Sequence, residues 1–237
     1  MLAYSYNVAT VRLGLEISME KIVATIKDLG IDRPFPAHPS LLAGAINMTP
    51  LEVAYMYQTI AAGGFKIPIR TIKSITNASG EQINSYPSKV ISALPSSAVF
   101  QLKISLQKVI TDGTGRSMAR FLPREYQIAG ITGTTKNLTD SWFTGFTGNY
   151  LGVVWIGNDQ GTSIRLTGSR GALPVWGKLM QRIDPTALKL TPEDHWGIKF
   201  HWVNPKNGLI TSKQCSGAVY LPFKKDKVPP KESSCSH

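Results

Sequence analysis

Four consecutive residues in the second half of the chain, Thr132, Gly133, Thr134 and Thr135, could recognise a peptide. They lie at the end of a segment, residues 128–134, whose alternation of small and β-branched side chains is typical of a β-strand. Glycine leaves room for another backbone to approach closely, and the threonines offer hydroxyl groups that donate and accept hydrogen bonds. An extended peptide laid along the edge of such a strand would be held by main-chain bonds and by these hydroxyls.

This strand is predicted to be the first of three consecutive antiparallel strands. A polar turn at residues 136–140 leads to a second strand at residues 141–147, which is rich in aromatic side chains. The dipeptide Gly148-Asn149 has the composition of a two-residue hairpin turn, and it leads to a third strand at residues 150–157. Because the third strand is apolar at almost every position, we expect it to be buried on both faces.

Helical patterns precede and follow these strands. The helix at residues 50–62 is predicted most clearly, because Thr49 suits the N-cap, Pro50 the first turn and Glu52 the closing position of a capping box. The remaining predicted elements are helices at 18–29, 96–111 and 174–183 and strands at 67–76 and 82–86. This order indicates an α+β domain over residues 1–184, followed by a mostly irregular tail over residues 185–237.

Several stretches resemble the motifs of one enzyme family. The segment AGITGTT followed by DSWFTGF, residues 129–146, is similar to the third motif of the penicillin-binding proteins, which reads Lys-Thr-Gly-Thr, a turn and a Trp-Phe strand. Ser5-Tyr6-Asn7 resembles their Ser-x-Asn motif. Residues 41–64 and 109–122 and the cysteine-containing end of the chain follow in the family's order. The resemblance covers the whole chain and points to the class A proteins of the 1B type.

The resemblance implies a serine D,D-transpeptidase with the β-lactamase/D,D-peptidase-like fold, in which an antiparallel sheet packs with helices. Such an enzyme attacks the D-Ala-D-Ala end of a peptidoglycan stem peptide, forms an acyl-enzyme and passes the acyl group to an amine. β-Lactams acylate the same serine. The resemblance implies no cofactor, and its partners would be stem peptides and β-lactams.

By position in the motifs, Ser5 matches the family's proton relay and Asn7 the amide that orients the lysine base and the substrate. Thr132, Gly133 and Thr134 match the strand that binds the substrate. The resemblance implies that the backbone N–H of Thr134 is an oxyanion donor and that its hydroxyl, with that of Thr132, contacts the substrate carboxylate.

The nucleophile motif of the family, Ser-x-x-Lys, is expected some tens of residues before Ser5, and only four residues precede Ser5 here. Two later stretches have the spacing. Ser18 and Lys21 lie at the start of a predicted helix, where a serine is suited to the N-cap. Ser105 and Lys108 lie in the middle of another. Neither pair is expected to be a nucleophile and its base.

The third-motif lysine of the family is also replaced, since Ile131 stands at its position. Lys136 is a poor substitute, because five strand residues would place it about 16 Å away and on the other face. We interpret Ile131 as a packing residue, which removes a cation that would attract the substrate carboxylate.

Two hypotheses follow from these departures. In the first, the chain is the C-terminal part of a class A penicillin-binding protein whose N-terminal portion is missing, and it is inactive alone. The unpaired apolar strand at residues 150–157 would then be an open sheet edge through which the chain could self-associate. In the second, the chain is a non-catalytic peptidoglycan-binding or scaffold protein, as its net charge of +11 and Ile131 suggest.

The charge pattern narrows the range of partners. Lysine and arginine are spread along the chain and form no basic strip interleaved with aromatic residues, so a nucleic-acid partner is not expected. No run of 18 apolar residues occurs, so any membrane attachment is expected only through upstream sequence. The four histidines lie apart from carboxylates and thiols at ligand spacing, so no metal site is predicted: His38, His195, His201 and His237.

The two cysteines, Cys215 and Cys235, lie in the loop-rich tail. They could be two buried free thiols or a disulfide. A tail of proline, lysine and serine offers little core in which to bury thiols, which favours the disulfide. A disulfide indicates an oxidising compartment, and with the family resemblance this predicts the periplasmic side of a bacterial inner membrane.

Overall fold

The computed structural model of the chain describes residues 1–232 and residue 235. Within these residues the helices are α1 Asn7–Ile17, α2 Met19–Asp28, α3 Pro50–Ala61, α4 Ser96–Thr111 and α5 Ala172–Met180. The strands are β1 Phe65–Lys66, β2 Ser74–Thr76, β3 Gln82–Ser85, β4 Ile91–Ser92, β5 Ala129–Thr134, β6 Ser141–Phe146, β7 Leu151–Ile156, β8 Ile198–Val203 and β9 Val219–Lys224.

The sheet that carries the predicted site has the order β5-β6-β7 and is antiparallel throughout. The predicted meander is therefore confirmed. The turn between β6 and β7 is closed by the N–H of Thr147, which donates to the carbonyl of Tyr150 at 2.9 Å and leaves Gly148 and Asn149 at its tip. Helices pack on this sheet, which confirms the predicted α+β class.

Two apolar clusters cover the two faces of the sheet, because successive strand side chains point to opposite faces. On one face Phe143 of β6 packs against Trp176 of α5, with ring centroids 5.3 Å apart. On the other face Ala129 and Phe146 pack with residues of α3 and α4, among them Leu106. Both clusters are almost inaccessible to solvent, so the sheet is held firmly between helices.

Helix α3 begins as the sequence predicts. Thr49 Oγ1 accepts a hydrogen bond from the N–H of Glu52, and the Glu52 carboxylate accepts one from the N–H of Thr49, so the capping box is complete. At the far end, Lys103 of α4 donates from Nζ to the carbonyl of Ala61 at 2.7 Å. Burial lowers the pKa of the Lys103 ammonium. It also raises the pKa of the Tyr57 phenol, on α3, to about 12.

The structure corrects two expectations. Strand β7 is only half-buried, and Trp155 is 36% exposed, because β7 lies at the edge of the described sheet. The tail is also more regular than predicted, since β8 and β9 pair as an antiparallel hairpin. Cross-strand stacking of Phe200 and Trp202 on Tyr220 stabilises this hairpin, and Phe200 packs edge-on against Phe100 of α4.

Two cysteines close the tail. The segment that leads into β9 contains Cys215, and the structure joins Cys215 to Cys235 in a disulfide with Cα atoms 5.4 Å apart. The bridge ties Cys235 to the segment that leads into β9.

Candidate active site

The residues predicted to bind a peptide lie at the end of β5, which is an edge strand of the described sheet. The N–H of Thr135 donates to the carbonyl of Asp140 at 3.2 Å, which fixes the hydrogen-bonding phase of the β5–β6 ladder. Because hydrogen-bonded and non-bonded pairs alternate in an antiparallel ladder, the backbone groups of Thr132 and Thr134 point away from β6. They face the open side of the sheet, where an extended peptide could pair with them.

Gly133 lies between these threonines and pairs with Trp142 of β6. A Cβ atom at Gly133 would lie 3.0 Å from the Cβ of Trp142, which is tighter than ordinary side-chain contacts. The glycine thus lets Trp142 pack beside β5 without distorting the strand.

The side chain of Thr132 is held by a residue that follows α4. Its Oγ1 lies 2.7 Å from the Oγ1 of Thr114, and the N–H of Thr114 donates to the carbonyl of Ala3 at 3.0 Å. The neighbouring Gly113 is required for this approach, because a Cβ there would lie 1.9 Å from the Ala3 carbonyl oxygen. Thr114 therefore connects β5 to the segment that carries the Ser-x-Asn motif.

The side chain of Thr134 is held from the opposite direction. The N–H of Gly168 donates to Thr134 Oγ1 at 2.9 Å. A Cβ on Gly168 would lie 2.5 Å from the carbonyl oxygen of Trp142 and 2.7 Å from that of Gly133, so only glycine allows this close approach. The Thr134 oxygen accepts this bond, and its own proton remains able to donate to a ligand.

A buried serine fixes the segment that carries Gly168. Ser141 Oγ, on β6, donates to the carbonyl of Thr167 and accepts from the N–H of Ala172, both at 2.9 Å. Ser141 is fully buried. It positions the start of α5 and the residues before it against the end of β5.

Asp140 stabilises the turn between β5 and β6. Its carboxylate accepts hydrogen bonds from Trp155 Nε1 at 2.8 Å, from Thr139 Oγ1 at 2.9 Å and from Thr135 Oγ1 at 3.0 Å. Burial by itself would raise the pKa of the Asp140 carboxyl, but these three hydrogen bonds outweigh it, and the pKa is lowered. The ionised carboxylate therefore ties the residues just beyond Thr134 to β7.

The predicted relay residues, Ser5 and Asn7, are exposed and take no part in the hydrogen bonds around Thr132 and Thr134. Ser5 adopts a left-handed conformation with φ 56° and ψ 47°, which is uncommon for a residue other than glycine. Asn7 is the first residue of α1. Within the described part of the chain, neither side chain makes a hydrogen bond to Thr132 or Thr134. The structure brings their segment to β5 through Thr114 and leaves the two side chains in solvent.

The structure also shows how the departures from the family pattern are accommodated. Ile131 packs against the apolar cluster that contains Ala129, Phe146 and Leu106. Lys136 is exposed at the start of a short 3₁₀ helix, Lys136–Leu138, beyond the end of β5. No lysine therefore points from β5 into the site.

The two serines with Ser-x-x-Lys spacing, Ser18 and Ser105, occupy ordinary positions of helices. Ser18 is the N-cap residue of α2, as the sequence suggests. Ser105 lies within α4, where its Oγ donates to the carbonyl of Gln101 at 3.0 Å.

Three site residues were not anticipated from the sequence: Thr114, Ser141 and Gly168. Each acts across at least 18 positions of the chain, so no local pattern reveals its partner. The glycines beside them, at positions 113, 115, 168 and 171, were the available signal, because close backbone approach needs glycine.

Residues 1–181, well over half of the chain, match the family of the penicillin-binding protein transpeptidase domain. The chain belongs to the penicillin-binding protein transpeptidase family. The assignment made from the Thr132-Gly133-Thr134 strand and the Ser5-x-Asn7 segment is therefore confirmed at the level of the family.

Curated relatives place this transpeptidase region with the 1B type. Penicillin-binding protein 1B of Haemophilus influenzae is 30% identical over 249 residues, which cover 98% of this chain and 32% of that protein. Penicillin-binding protein 1B of Escherichia coli is 35% identical over 196 residues, which cover 81% of this chain and 23% of that protein. The chain thus spans 23–32% of the length of these two relatives.

Solved structures confirm the predicted transpeptidase fold. The crystal structure of penicillin-binding protein 1A from Haemophilus influenzae superimposes with a TM-score of 0.85 at 21% identity, covering 97% of this chain and 40% of that one. Penicillin-binding protein 3 from Mycobacterium tuberculosis, complexed with ampicillin, gives a TM-score of 0.61 at 22% identity, covering 81% and 52%.

The described residues contain no helix that is both long and apolar enough to cross a membrane. They also contain no group of three or more histidine, cysteine, aspartate or glutamate side chains that could hold a metal ion. His237 lies outside the described residues.

Proposed function

We propose that this transpeptidase region forms the substrate-binding strand and the proton-relay side of a D,D-transpeptidase site that acts on peptidoglycan stem peptides. The observation that supports it is the end of β5, where the backbone groups of Thr132 and Thr134 face an open edge. Their hydroxyls are held in place by Thr114 and Gly168. A stem peptide would add to this edge as an extended strand, and β-lactams would occupy the same edge.

In this proposal each site residue has a role in acyl transfer. The Thr134 N–H stabilises the negative charge that develops on the attacked carbonyl oxygen, because a preorganised donor at an open edge need not reorganise during the reaction. The hydroxyls of Thr132 and Thr134 contact the substrate carboxylate. Ser5 passes a proton between base and leaving group, and Asn7 orients the base and the peptide. The reaction takes place at the periplasmic face, where stem peptides are exposed.

The nucleophile is the part that these residues do not provide. No Ser-x-x-Lys precedes Ser5 within the 237 residues, and Ser18 and Ser105 have structural positions. We therefore propose that this polypeptide binds the stem peptide without being acylated, and that acyl transfer needs a nucleophile from outside these residues.

Two measurements on the purified chain test this proposal. A fluorescent penicillin should leave no covalent label after denaturation, and a label on any serine would contradict the absence of a nucleophile. In isothermal titration, diacetyl-L-Lys-D-Ala-D-Ala should bind the wild-type chain and bind the Thr132→Val and Thr134→Val variants about tenfold more weakly. Binding that neither variant weakens would place the peptide elsewhere.

A second candidate function is non-catalytic retention on peptidoglycan, as in a scaffold protein. The packing of Ile131 favours it, because an isoleucine held in an apolar cluster supplies no cation for catalysis. Isolated peptidoglycan should then retain the chain at physiological salt, and the Thr132→Val variant should elute earlier. If retention vanishes at physiological salt, the net charge of +11 alone explains the binding and this candidate fails.

A further inference from the structure

A cavity of about 590 Å³ lies between the segment after α4 and the start of α5, and three arginines line it: Arg116, Arg120 and Arg170. We call it the arginine cavity. Arg116 and Arg120 come from the segment after α4, whereas Arg170 comes from the segment before α5. The fold therefore brings cations from two distant stretches of sequence to one concave surface.

The positive charge in the arginine cavity is uncompensated. The one carboxylate in its lining belongs to Asp112, whose Oδ2 is already bound by Lys108 Nζ at 3.2 Å and by Thr111 Oγ1 at 3.0 Å. The side chains of Arg116, Arg120 and Arg170 form no ion pair or hydrogen bond with any residue that the structure describes. Guanidinium groups that converge without an acidic partner favour an anionic ligand, which they bind through paired N–H groups.

A serine in the same lining has an unused hydrogen-bonding group. Ser117 Oγ is shielded from solvent and has no hydrogen-bond partner in the described structure. Because Ser117 Oγ is shielded even from water, a ligand in the cavity reaches it only after the serine side chain rotates.

The arginine cavity is connected to Thr132 and Thr134 of β5 through one intervening segment each. Thr114 lines the cavity, and its hydroxyl bonds to that of Thr132. Ser169 also lines it and directly follows Gly168, whose N–H bonds to the Thr134 hydroxyl. A peptide that ends at these threonines would therefore end next to the arginines.

We propose that the arginine cavity binds the terminal carboxylate of the stem peptide and supplies the positive charge that Ile131 does not. Arg120 and Arg170 pair with the carboxylate. This inference rests on the proposed function, because it needs the peptide to lie along β5. It adds that recognition of the D-Ala-D-Ala end by this chain depends on arginines outside the family motif.

The test compares two peptides on the full chain by isothermal titration: diacetyl-L-Lys-D-Ala-D-Ala and its C-terminal carboxamide. The wild-type chain should bind the acid at least about tenfold more tightly than the amide, because hydrogen bonds to a charged group are strong. Arg120→Met and Arg170→Met should each remove most of that difference and leave binding of the amide unchanged. Arg124→Met is the matched control, since Arg124 is an exposed neighbour that does not line the arginine cavity, and it should behave as wild type.

The outcomes separate this inference from the proposed function. Equal affinity for acid and amide in the wild type, with both weakened by Thr132→Val, overturns the arginine cavity and keeps the peptide on β5. Loss of acid preference in Arg124→Met as well as in the cavity variants also overturns it, because general charge would then explain the effect. Displacement of the acid peptide by an equal concentration of inorganic phosphate would show an unselective anion site and likewise count against it. If neither peptide binds, both proposals fail.

Discussion

The hydroxyl oxygens of Thr132 and Thr114 lie 2.7 Å apart, and this contact joins β5 to the segment that follows α4. Thr114 also donates its backbone N–H to Ala3, so a single residue links β5, α4 and the segment before the Ser-x-Asn motif. Within the described residues β5 has no strand on its open edge. The Thr132 hydroxyl beside that edge is oriented by its bond to Thr114.

Replacing Thr114 with valine should therefore affect both stability and binding. Valine keeps the shape of threonine but removes the hydroxyl, so we expect the free energy of unfolding to fall by about 1–2 kcal/mol. Affinity for a D-Ala-D-Ala peptide should also fall, because the Thr132 hydroxyl would be free to rotate. Urea unfolding and titration measure the two effects. Thr25→Val, which removes an exposed hydroxyl of α2 that bonds the carbonyl of Lys21, is the control and should leave peptide affinity unchanged. Equal losses of affinity in both variants would contradict the role of Thr114.

The sequence predicted the substrate strand but not the residues that hold it. Strand β5 could be predicted because its signals are local: alternating residues and the Thr-Gly-Thr motif. The Gly148-Asn149 turn is a local signal of the same kind for the β6–β7 hairpin. The bonds from Thr114 and Gly168 span 18 and 34 positions, and such pairing depends on the assembled fold. The β8–β9 hairpin was missed for a similar reason, since its stability comes from stacking of Trp202 on Tyr220 across the strands.

The close approach of Gly168 to β5 gives a second prediction. A methyl group at Gly168 would lie 2.5 Å from the Trp142 carbonyl oxygen, so Gly168→Ala should push the segment away and break the bond to Thr134. We expect a loss of about 1–3 kcal/mol in unfolding free energy, in the range of overpacked sites. Ser169→Ala, one residue later, is the control and should lose less than about 1 kcal/mol. Comparable losses would show that the close approach is not needed.

The buried phenol of Tyr57 should lower the stability of the fold at alkaline pH. Burial raises the pKa of its phenol to about 12, from 10.0 in the unfolded chain. Between these values the folded state keeps a proton that the unfolded state loses, so stability is full below pH 10 and falls as the pH rises toward about 12. The free energy of unfolding of the wild type minus that of Tyr57→Phe should therefore fall by about 1–2 kcal/mol from pH 9 to pH 11.5. If urea unfolding shows the same pH dependence of stability for both proteins, this prediction is wrong.

The Cys215–Cys235 bridge should stabilise the tail. A disulfide that closes a loop of this length contributes about 3 kcal/mol in the chain-entropy model. Mass spectrometry of non-reduced peptides from exported protein should find the two cysteines linked. The Cys215→Ser/Cys235→Ser double variant should lose protection of the β8–β9 hairpin in hydrogen exchange and keep that of β5 and β6. Two alkylatable thiols in exported material would contradict both the bridge and the proposed periplasmic location.

The open edge of β7 gives the last prediction, which concerns self-association. Strand β7 pairs only with β6 in the described structure, and the bond from Thr147 to Tyr150 sets the phase of that ladder. The backbone groups of Leu151, Val153 and Trp155 therefore point outward. Each such group that is shielded from water without a partner costs about 1–3 kcal/mol, against a total stability of about 5–15 kcal/mol. We expect the isolated chain to be marginally stable and to self-associate by pairing this edge with a second copy.

Proline substitutions at neighbouring positions of β7 test this directly. Val153→Pro removes an outward N–H and should yield a monomer that keeps its fold, because proline is tolerated on the open side of an edge strand. Val154→Pro removes an N–H that bonds to β6 and should unfold the sheet instead. Size-exclusion chromatography with light scattering and a thermal melt distinguish the variants. A wild-type chain that is a monodisperse monomer and melts cooperatively above about 60 °C would show that this edge needs no partner, since that is the upper range of ordinary intact domains.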